Sequence, residues 1–171
     1  MNNKKGYSKN SFLYNGIVNV TIKKSGRVIM KQSIHNKGQN TLFKTFCRLL
    51  CGDNDALKDI PFSIDAGVYK ADEFSNYVFT SVLSSPSVIT RHTPVYNTTS
   101  KKWTAEFVST IIYSQVVDST EPISSLALRN SSGEILALVE QLDSEMRIDE
   151  SSTLIVQWNM YFDNNSTETI E

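Results

Sequence analysis

The chain has 171 residues, of which 40% are hydrophobic and 20% are charged, and its formal net charge is −1. This composition is typical of one folded domain and excludes wholesale disorder, and the lack of a basic excess disfavours nucleic acid and anionic membrane surfaces as partners. No run reaches the roughly 18 to 20 apolar residues that span a bilayer, and no signal peptide is recognisable, so we expect a soluble protein made in a cytosol.

Polar residues dominate both ends of the chain. Residues 1–13 carry three lysines among Asn, Ser and Gly, and this composition predicts a flexible amino-terminal arm. Residues 164–171 are also polar and predict a flexible carboxy-terminal tail. The segment between them, 14–163, is expected to form a single domain.

The domain is expected to begin with a β-hairpin. In "NGIVNVTIKKSGRVIMKQSI", Val18, Val20 and Ile22 alternate with polar residues, and the apolar residues of the return strand alternate in the same way. Ser25 and Gly26 stand between the two runs and predict a tight turn.

The segment "NKGQNTLFKTFCRLLCGD" predicts the single helix of the chain, near 41–51. Its apolar residues recur with helical spacing in two adjacent rows. Asn40 or Thr41 is the expected N-cap, and Gly52 stands where a helix-ending glycine belongs. A helix of about eleven residues is too short to be stable alone in water, so it must pack on a sheet or on another subunit.

The two cysteines, Cys47 and Cys51, both fall in this helix. A disulfide between helical residues four apart would be strained. Half of a zinc site is the functional alternative, but the sequence offers no second cluster of Cys or His to complete it. We therefore expect two free cysteines that are buried as small apolar side chains.

From Ile60 onward the sequence predicts strands almost throughout. Two long strands are expected around a turn at residues 97–101, and Trp103, Phe107 and Ile111 share the apolar face of the second strand. Later, "ISSLALRNSSGEILALVEQL" predicts a hairpin over "NSSG" whose strands are apolar on both faces, as in a covered sheet.

The last predicted strand, "STLIVQWNMYFDN", has a large apolar residue at every second position from Leu154 to Phe162. Turn signals recur about every eight to twelve residues along this half of the chain. Together these patterns predict a mostly-β fold, namely an antiparallel β-sandwich with an amino-terminal β-hairpin and one short α-helix.

The sequence shows no motif that carries chemistry. His35 and His92 are the only histidines and are expected at turns or strand ends, without the spacing of a catalytic triad. The acids of "EQLDSEMRIDES" predict a solvated edge rather than a glycosidase pair, and "CGDNDA" lacks the pattern of a calcium loop. We therefore predict no catalytic residues, no cofactor-binding residues and no metal ligands.

Aromatic side chains offer an alternative, a platform on which sugars stack. The candidates are Tyr96, Trp103, Trp158 and Tyr161. Both tryptophans fall on the apolar faces of their strands, however, so the pattern favours core packing for them.

Apolar residues also occupy the outward faces of the predicted strands. A simple sandwich buries only one face of each sheet, so outward apolar residues need another cover. We take five of them as candidate subunit-interface residues, and the expected partners are other copies of the chain: Val108, Ile112, Val116, Ile155 and Tyr161.

Four blocks of the chain together resemble a layout found in virion proteins of tailed bacteriophages. The blocks are "IDAGVY", "KKWTAEFVSTIIYSQV", "ISSLALRNSSGEILALVE" and "STLIVQWNMYFDN". The amino-terminal block "GIVNVTIKKSGRVIMKQSIHNKGQNTLFKTFCRLLCG" is similar to small structural proteins of crAss-like podoviruses. One departure is Ser125, which stands where the tail domains more often have an acid.

This resemblance implies a non-enzymatic structural protein, a repeated subunit of a ring or adaptor in the neck or tail of the virion, made in the host bacterial cytoplasm. Its partners would be its own copies in a cyclic homo-oligomer and other virion proteins such as portal, neck or tail subunits. No small-molecule substrate and no sequence-specific nucleic acid are expected.

Two other functions stay open on the sequence. One is a capsid-accessory, fibre-attachment or carbohydrate-binding (receptor-binding) module of the virion. The other is a hydrolase acting on cell-wall sugar through Asp143, Glu145 and Asp149.

Overall fold

The structure is a computed structural model that describes residues 13–117 and 119–163. The predicted tail and all but the last residue of the predicted arm lie outside the described residues. The described part contains eleven strands, one α-helix and two 3₁₀ helices (Asn54–Asp59 and Tyr113–Gln115). The α-helix is α1 (Asn40–Leu50), and the strands are β1 (Leu13–Lys24), β2 (Arg27–Gly38), β3 (Ser63–Ala71), β4 (Tyr77–Ser81), β5 (Ser87–Val88), β6 (Thr90–Arg91), β7 (Val95–Asn97), β8 (Lys102–Ile112), β9 (Ser125–Arg129), β10 (Ile135–Val139) and β11 (Ser152–Asp163).

All strands belong to one antiparallel sheet in the order β4-β3-β9-β10-β2-β1-β11-β8-β6, with β5 paired to β3 and β7 paired to β8. The strand that joins its two halves is β2, which pairs with β1 over most of its length and offers Lys37 and Gly38 to β10. The predicted fold class is thereby confirmed: the protein is mostly β, with an amino-terminal hairpin and a single helix. Its two layers are continuous through β2.

The two halves of the sheet share one hydrophobic core, which gives the fold its sandwich-like character. Val18, Phe107 and Trp158 from one half are buried in the same cluster as Ile64 and Leu126 from the other half. Ser87 of β5, the strand paired with β3, donates through Oγ to the Thr110 carbonyl of β8 at 3.0 Å, although β3 and β8 are far apart in the strand order. The sheet therefore folds over on itself around this cluster.

The segment 87–91 links the two ends of this folded sheet. Val88 pairs with Ser63 of β3, and two residues later Thr90 pairs with Val108 of β8. The predicted long strand before the 97–101 turn is therefore divided into the short strands β5, β6 and β7, because the chain crosses from one half of the sheet to the other at this point.

The period-two pattern of the last strand is confirmed. Leu154, Val156 and Trp158 are fully buried, and Met160 is almost fully buried. The last strand lies between β1 and β8 and pairs with β1 from Lys24↔Ser152 to Leu13↔Asp163. The end of the domain therefore holds the central strand of this half.

The predicted turn of the first hairpin is also confirmed. Ser25 and Gly26 have φ angles of 48° and 79°. Two successive residues with positive φ characterise the type I′ turn, whose twist matches that of the flanking strands.

Helix α1 begins and ends one residue earlier than the predicted 41–51, and Gly52 stands at the helix end as predicted. Gly52 has φ of 77° and its N–H donates to the Leu49 carbonyl at 3.0 Å, while the Asp53 N–H donates to the Arg48 carbonyl at 3.0 Å. These two bonds form a Schellman motif. The prediction of Asn40 or Thr41 as the N-cap was wrong, because Gln39 occupies that position and makes no side-chain cap bond.

The helix packs on its own sheet, and this packing leaves both cysteines exposed. Leu42 is fully buried in the common core and Thr45 is buried, whereas Cys47 and Cys51 are exposed. The prediction of buried cysteines was wrong because only one of the two apolar rows of α1 faces the sheet. Within the described residues, no helix is long and apolar enough to cross a bilayer.

The prediction of an inward Trp103 was wrong. Its side chain is 51% exposed, although it alternates correctly with the buried Phe107 and Ile111. Trp103 lies at the start of β8, where it faces Tyr96 on β7 and Phe162 near the end of β11. The core does not extend this far along the strand, so alternation alone does not bury the ring.

The two tryptophans provide a stability test within one sheet. Trp158→Ala is expected to lower the free energy of unfolding by about 3–5 kcal/mol, because it opens a cavity in the core. The matched variant Trp103→Ala is expected to lower it by about 1 kcal/mol or less, since half of that ring already faces water. Urea denaturation followed by circular dichroism measures both, and equal losses would contradict the core described above.

Asp149 ties the tip of the first hairpin to the turn before β11. Its carboxylate accepts hydrogen bonds from Lys24 Nζ at 2.7 Å, from Ser152 Oγ at 2.7 Å and from Ser151 Oγ at 2.8 Å. The hydrogen bond from Lys24, followed by those from the two serines, holds the pKa of Asp149 far below its ordinary value of 3.8.

Because the folded-state pKa of Asp149 is lowered, its contribution to stability is complete above the unfolded-state pKa and is lost as the pH falls through the folded-state value. We expect the free energy of unfolding of the wild type to fall more steeply below about pH 3.8 than that of Asp149→Asn. Urea midpoints at a series of pH values measure the difference. Parallel pH profiles would show that this carboxylate contributes nothing.

Candidate functional site

A concave surface of about 470 Å³ lies between β4 and the amino-terminal end of α1. We call it the tyrosine groove. Its residues come from three places, namely one wall from β3 and β4, one from the start of the helix, and the rest from β10 and the residue after it: Tyr69, Tyr77, Val78, Phe79, Gln39, Asn40, Thr41, Ile135, Leu138 and Glu140. A second concavity of about 370 Å³ adjoins it, shares Tyr69, Tyr77 and Glu140 with it and adds Gln141.

The register of β3 and β4 places the aromatic side chains of the groove together. Tyr69 is paired with Phe79 and Ala71 with Tyr77, so Tyr69, Tyr77 and Phe79 project from the same face. The rings of Tyr69 and Tyr77 lie 5.6 Å apart between centroids with an interplanar angle of 37°. The ring of Tyr77 is mostly in solvent, at 66% exposure.

Gly67 allows β3 and β4 to approach closely beside this pair. A Cβ at Gly67 would lie 2.0 Å from the carbonyl oxygen of Thr80, a distance that no real side chain tolerates. The aromatic wall therefore depends on a glycine two residues before Tyr69.

One ion pair borders the groove. Lys37 Nζ donates to Glu140 Oε2 at 2.6 Å, and this hydrogen bond raises the pKa of Lys37. The backbone carbonyl of Glu140 accepts from Ser125 Oγ at 2.6 Å, which holds the residue against β9. The carboxylate is thus positioned and its charge is balanced by a neighbouring lysine.

A buried polar cluster supports the aromatic wall from below. Asp65 is 2% exposed and accepts from Arg129 Nε at 2.9 Å and from Ser81 Oγ at 2.5 Å. The guanidinium of Arg129 also lies 5.3 Å from the ring centroid of Phe79, which lines the groove. Charge pairing inside the sheet therefore fixes β4, and with it the groove wall, relative to β9.

Four of the five candidate interface residues lie on the outer face of β8 and β11, with Tyr161 at the opposite end of the strands from Ile112. Val108, Ile155 and Tyr161 are half-buried and Ile112 is 47% exposed, and all four alternate with core residues. The fifth, Val116, lies apart from them, because it follows the second 3₁₀ helix, bridges to Leu83 and packs against the core.

The two histidines lie apart. His35 Nδ1 lies 3.2 Å from the side-chain oxygen of Asn15, and His92 is paired with Glu106, which also accepts from Gln157. Both are held by neighbours on the outer face of the same sheet half.

Asp143 and Glu145, considered as catalytic acids, are exposed between β10 and β11, whereas Asp149 and the acids considered for calcium form ion pairs. Asp53 accepts from Arg48 Nε at 2.7 Å, which lowers the pKa of Asp53, and Asp55 pairs with Lys58 at 3.0 Å. In residues 13–117 and 119–163, no three His, Cys, Asp or Glu side chains are grouped closely enough to hold a metal ion.

The aromatic candidates of the sequence are separated in the structure. Trp158 is in the core, and Tyr161 lies on the outer face of β11. Tyr96 and Trp103 form an exposed pair with ring centroids 5.2 Å apart. Of the two tryptophans that the sequence placed in the core, Trp158 is buried and Trp103 lies on the surface.

Sequence reasoning missed the aromatic pair of the groove, in which Tyr77 is exposed and Tyr69 is half-buried. Their strands were predicted, and alternation from Asp65 would have placed Tyr69 on the face opposite Ile64. The signal for their proximity is the register of β3 with β4, which depends on the intervening turn and is absent from periodicity.

The chain was compared with protein-family models, with curated proteins and with solved structures, and none of them matches it.

The buried pair below the groove gives a second stability test. Asp65→Asn leaves the Arg129 guanidinium without its counter-charge inside the sheet and is expected to cost about 3 kcal/mol. The matched variant Asp55→Asn breaks an ion pair whose side chains are both more than 70% exposed, and it is expected to cost less than about 1 kcal/mol. Thermal and urea unfolding of the two variants measures the difference. An Asp65→Asn variant as stable as the wild type would show that the ion pair with Arg129 does not stabilise the fold.

Proposed function

We propose that the protein is a non-enzymatic structural virion protein, a repeated subunit of a ring or adaptor in the neck or tail of a tailed, crAss-like bacteriophage. It acts through protein–protein contacts with its own copies and with portal, neck or tail subunits. The resemblance of five sequence blocks to such proteins supports the virion assignment. The exposed apolar surface of α1 supports an assembly role.

The observation that carries the proposal is the outward row of α1, formed by Phe43, Cys47 and Leu50, which we call the helix row. Leu50 is 88% exposed, Phe43 is 40% exposed and Cys47 is exposed. Leu57 on the following 3₁₀ helix is 57% exposed. Single exposed apolar residues are ordinary, but a row at helical spacing marks a surface that another protein covers.

A cyclic assembly suits the placement of the apolar surfaces. The helix row lies on α1, and the second apolar surface, around Ile112 and Ile155, lies on the outer face of β8 and β11. Contact between two different patches is heterologous, and such a contact builds a ring when its rotation closes and an open filament when it does not. Each copy would then cover one patch of each of its two neighbours.

The second candidate, a capsid-accessory, fibre-attachment or carbohydrate-binding module, is favoured by two aromatic pairs that include the exposed rings of Tyr77, Tyr96 and Trp103. The first candidate and this one differ in copy number. A ring subunit is an oligomer in solution or in the particle, whereas a binding module can act as a single copy. Mass spectrometry of purified particles measures the copy number of the chain, and light scattering measures its mass in solution. Together these two measurements distinguish the two candidates.

If the helix row is a contact between subunits, a single charged side chain introduced there weakens assembly. The wild type is expected to elute at a multiple of its 19.2 kDa mass in size-exclusion chromatography with light scattering. Leu50→Glu is expected to weaken association at least about tenfold and shift the mass towards the monomer, because a charge at a desolvated contact is costly. Ile112→Glu tests the second patch in the same way.

Phe74→Glu is the matched control, since Phe74 is 75% exposed and lies in the turn after β3, outside both patches. It is expected to keep the wild-type mass. A wild-type protein that is monomeric and absent from virions would contradict the proposal. If Phe74→Glu also lost association, the effect of the added charge would not be specific to the two patches.

A further inference from the structure

We propose that the tyrosine groove binds a neutral saccharide, with the exposed ring of Tyr77 as its stacking platform. This inference does not rest on the virion assignment, because a ring subunit and a lone binding module can both carry such a site. It also involves a different surface from the helix row and from the outer face of β8 and β11.

The shape of the groove fits a short chain of sugar rings. Its volume of about 470 Å³ falls within the range of about 300–1,000 Å³ that small-molecule sites occupy. The adjoining concavity, which shares Tyr69, Tyr77 and Glu140, has a volume of about 370 Å³. Both are open to solvent rather than enclosed cavities.

The aromatic wall offers what the C–H face of a pyranose requires. An axial patch of C–H groups packs on an aromatic ring whose face is free of other side chains. Tyr77 is 66% exposed, and the ring of Tyr69 supports it from 5.6 Å at a tilt of 37°. Leu138, which is 5% exposed, adds an apolar surface at the back of the groove.

The rest of the lining offers what the hydroxyl groups require. Gln39, Asn40 and Gln141 carry amides that both donate and accept, and Glu140 carries acceptors. The first residues of α1 contribute Asn40 and Thr41 at a helix start that no side chain caps. A sugar hydroxyl both donates and accepts, so this mixed lining suits vicinal hydroxyl groups.

The charge at the groove favours a neutral ligand. Glu140 is the one acidic residue among those that line it, and its carboxylate is paired with Lys37 at 2.6 Å. An anionic ligand would meet this carboxylate, and a cationic ligand would have to compete with the lysine. A neutral ligand can bond to both partners without separating the pair.

The test is a titration of the full chain with cellobiose, maltose, lactose and chitobiose, followed by ¹H–¹⁵N NMR. At least one of these disaccharides is expected to shift the amide resonances of residues around Tyr69, Tyr77 and Glu140. Tyr77→Ala is expected to weaken its binding by at least about tenfold, whereas Tyr77→Phe keeps the ring face and most of the affinity. Because Tyr77 is exposed, its substitution leaves the core intact, and circular dichroism verifies the fold.

Tyr96→Ala is the matched control, since Tyr96 belongs to the other exposed aromatic pair and lies outside the groove. It is expected to bind the disaccharide as the wild type does. A flat response to all four disaccharides would overturn the proposal. So would a loss in Tyr96→Ala equal to that in Tyr77→Ala, or groove resonances that respond to a proline-rich peptide and to none of the sugars. None of these outcomes bears on the mass of the assembly, which tests the proposed function.

Discussion

The fold depends on the burial of the inner face of β11 against the other half of the sheet. Leu154, Val156 and Trp158 are completely removed from solvent, and they share a core with Ile64 and Leu126. Each of these large side chains contributes about 1.5–3 kcal/mol when it is transferred from water. The sheet has to fold over on itself for the two faces to meet. It is continuous through β2, and the segment 87–91 connects its two ends.

This arrangement decides what remains on the outside. One row of α1 is used to cover the sheet around β10, so its second row faces solvent. Beside it, the outer face of β3 and β4 keeps an aromatic pair that the helix does not reach. The helix row and the aromatic pair therefore both remain on the surface of the domain.

Prediction from sequence succeeded where a contact lies between residues close together in the chain. The Ser25-Gly26 turn, the helix end at Gly52 and the alternation of β11 all follow from local chemistry. It failed for Trp103, whose strand extends beyond the core, and for Cys47, whose helix row is not the row that packs. In both cases the local pattern predicted the secondary structure correctly, but no other element of the fold covers the side chain.

The sequence by itself determined the mostly-β class, the hairpin, the helix and the lack of a recognisable catalytic motif, because these depend on spacing along the chain. Only the tertiary structure decided which apolar rows are covered and which side chains from distant strands meet. Tyr69 and Tyr77 come together through the register of two strands, and Asp65 meets Arg129 across 64 residues. Register is set by the global packing of the sheet, and periodicity within one strand does not contain it.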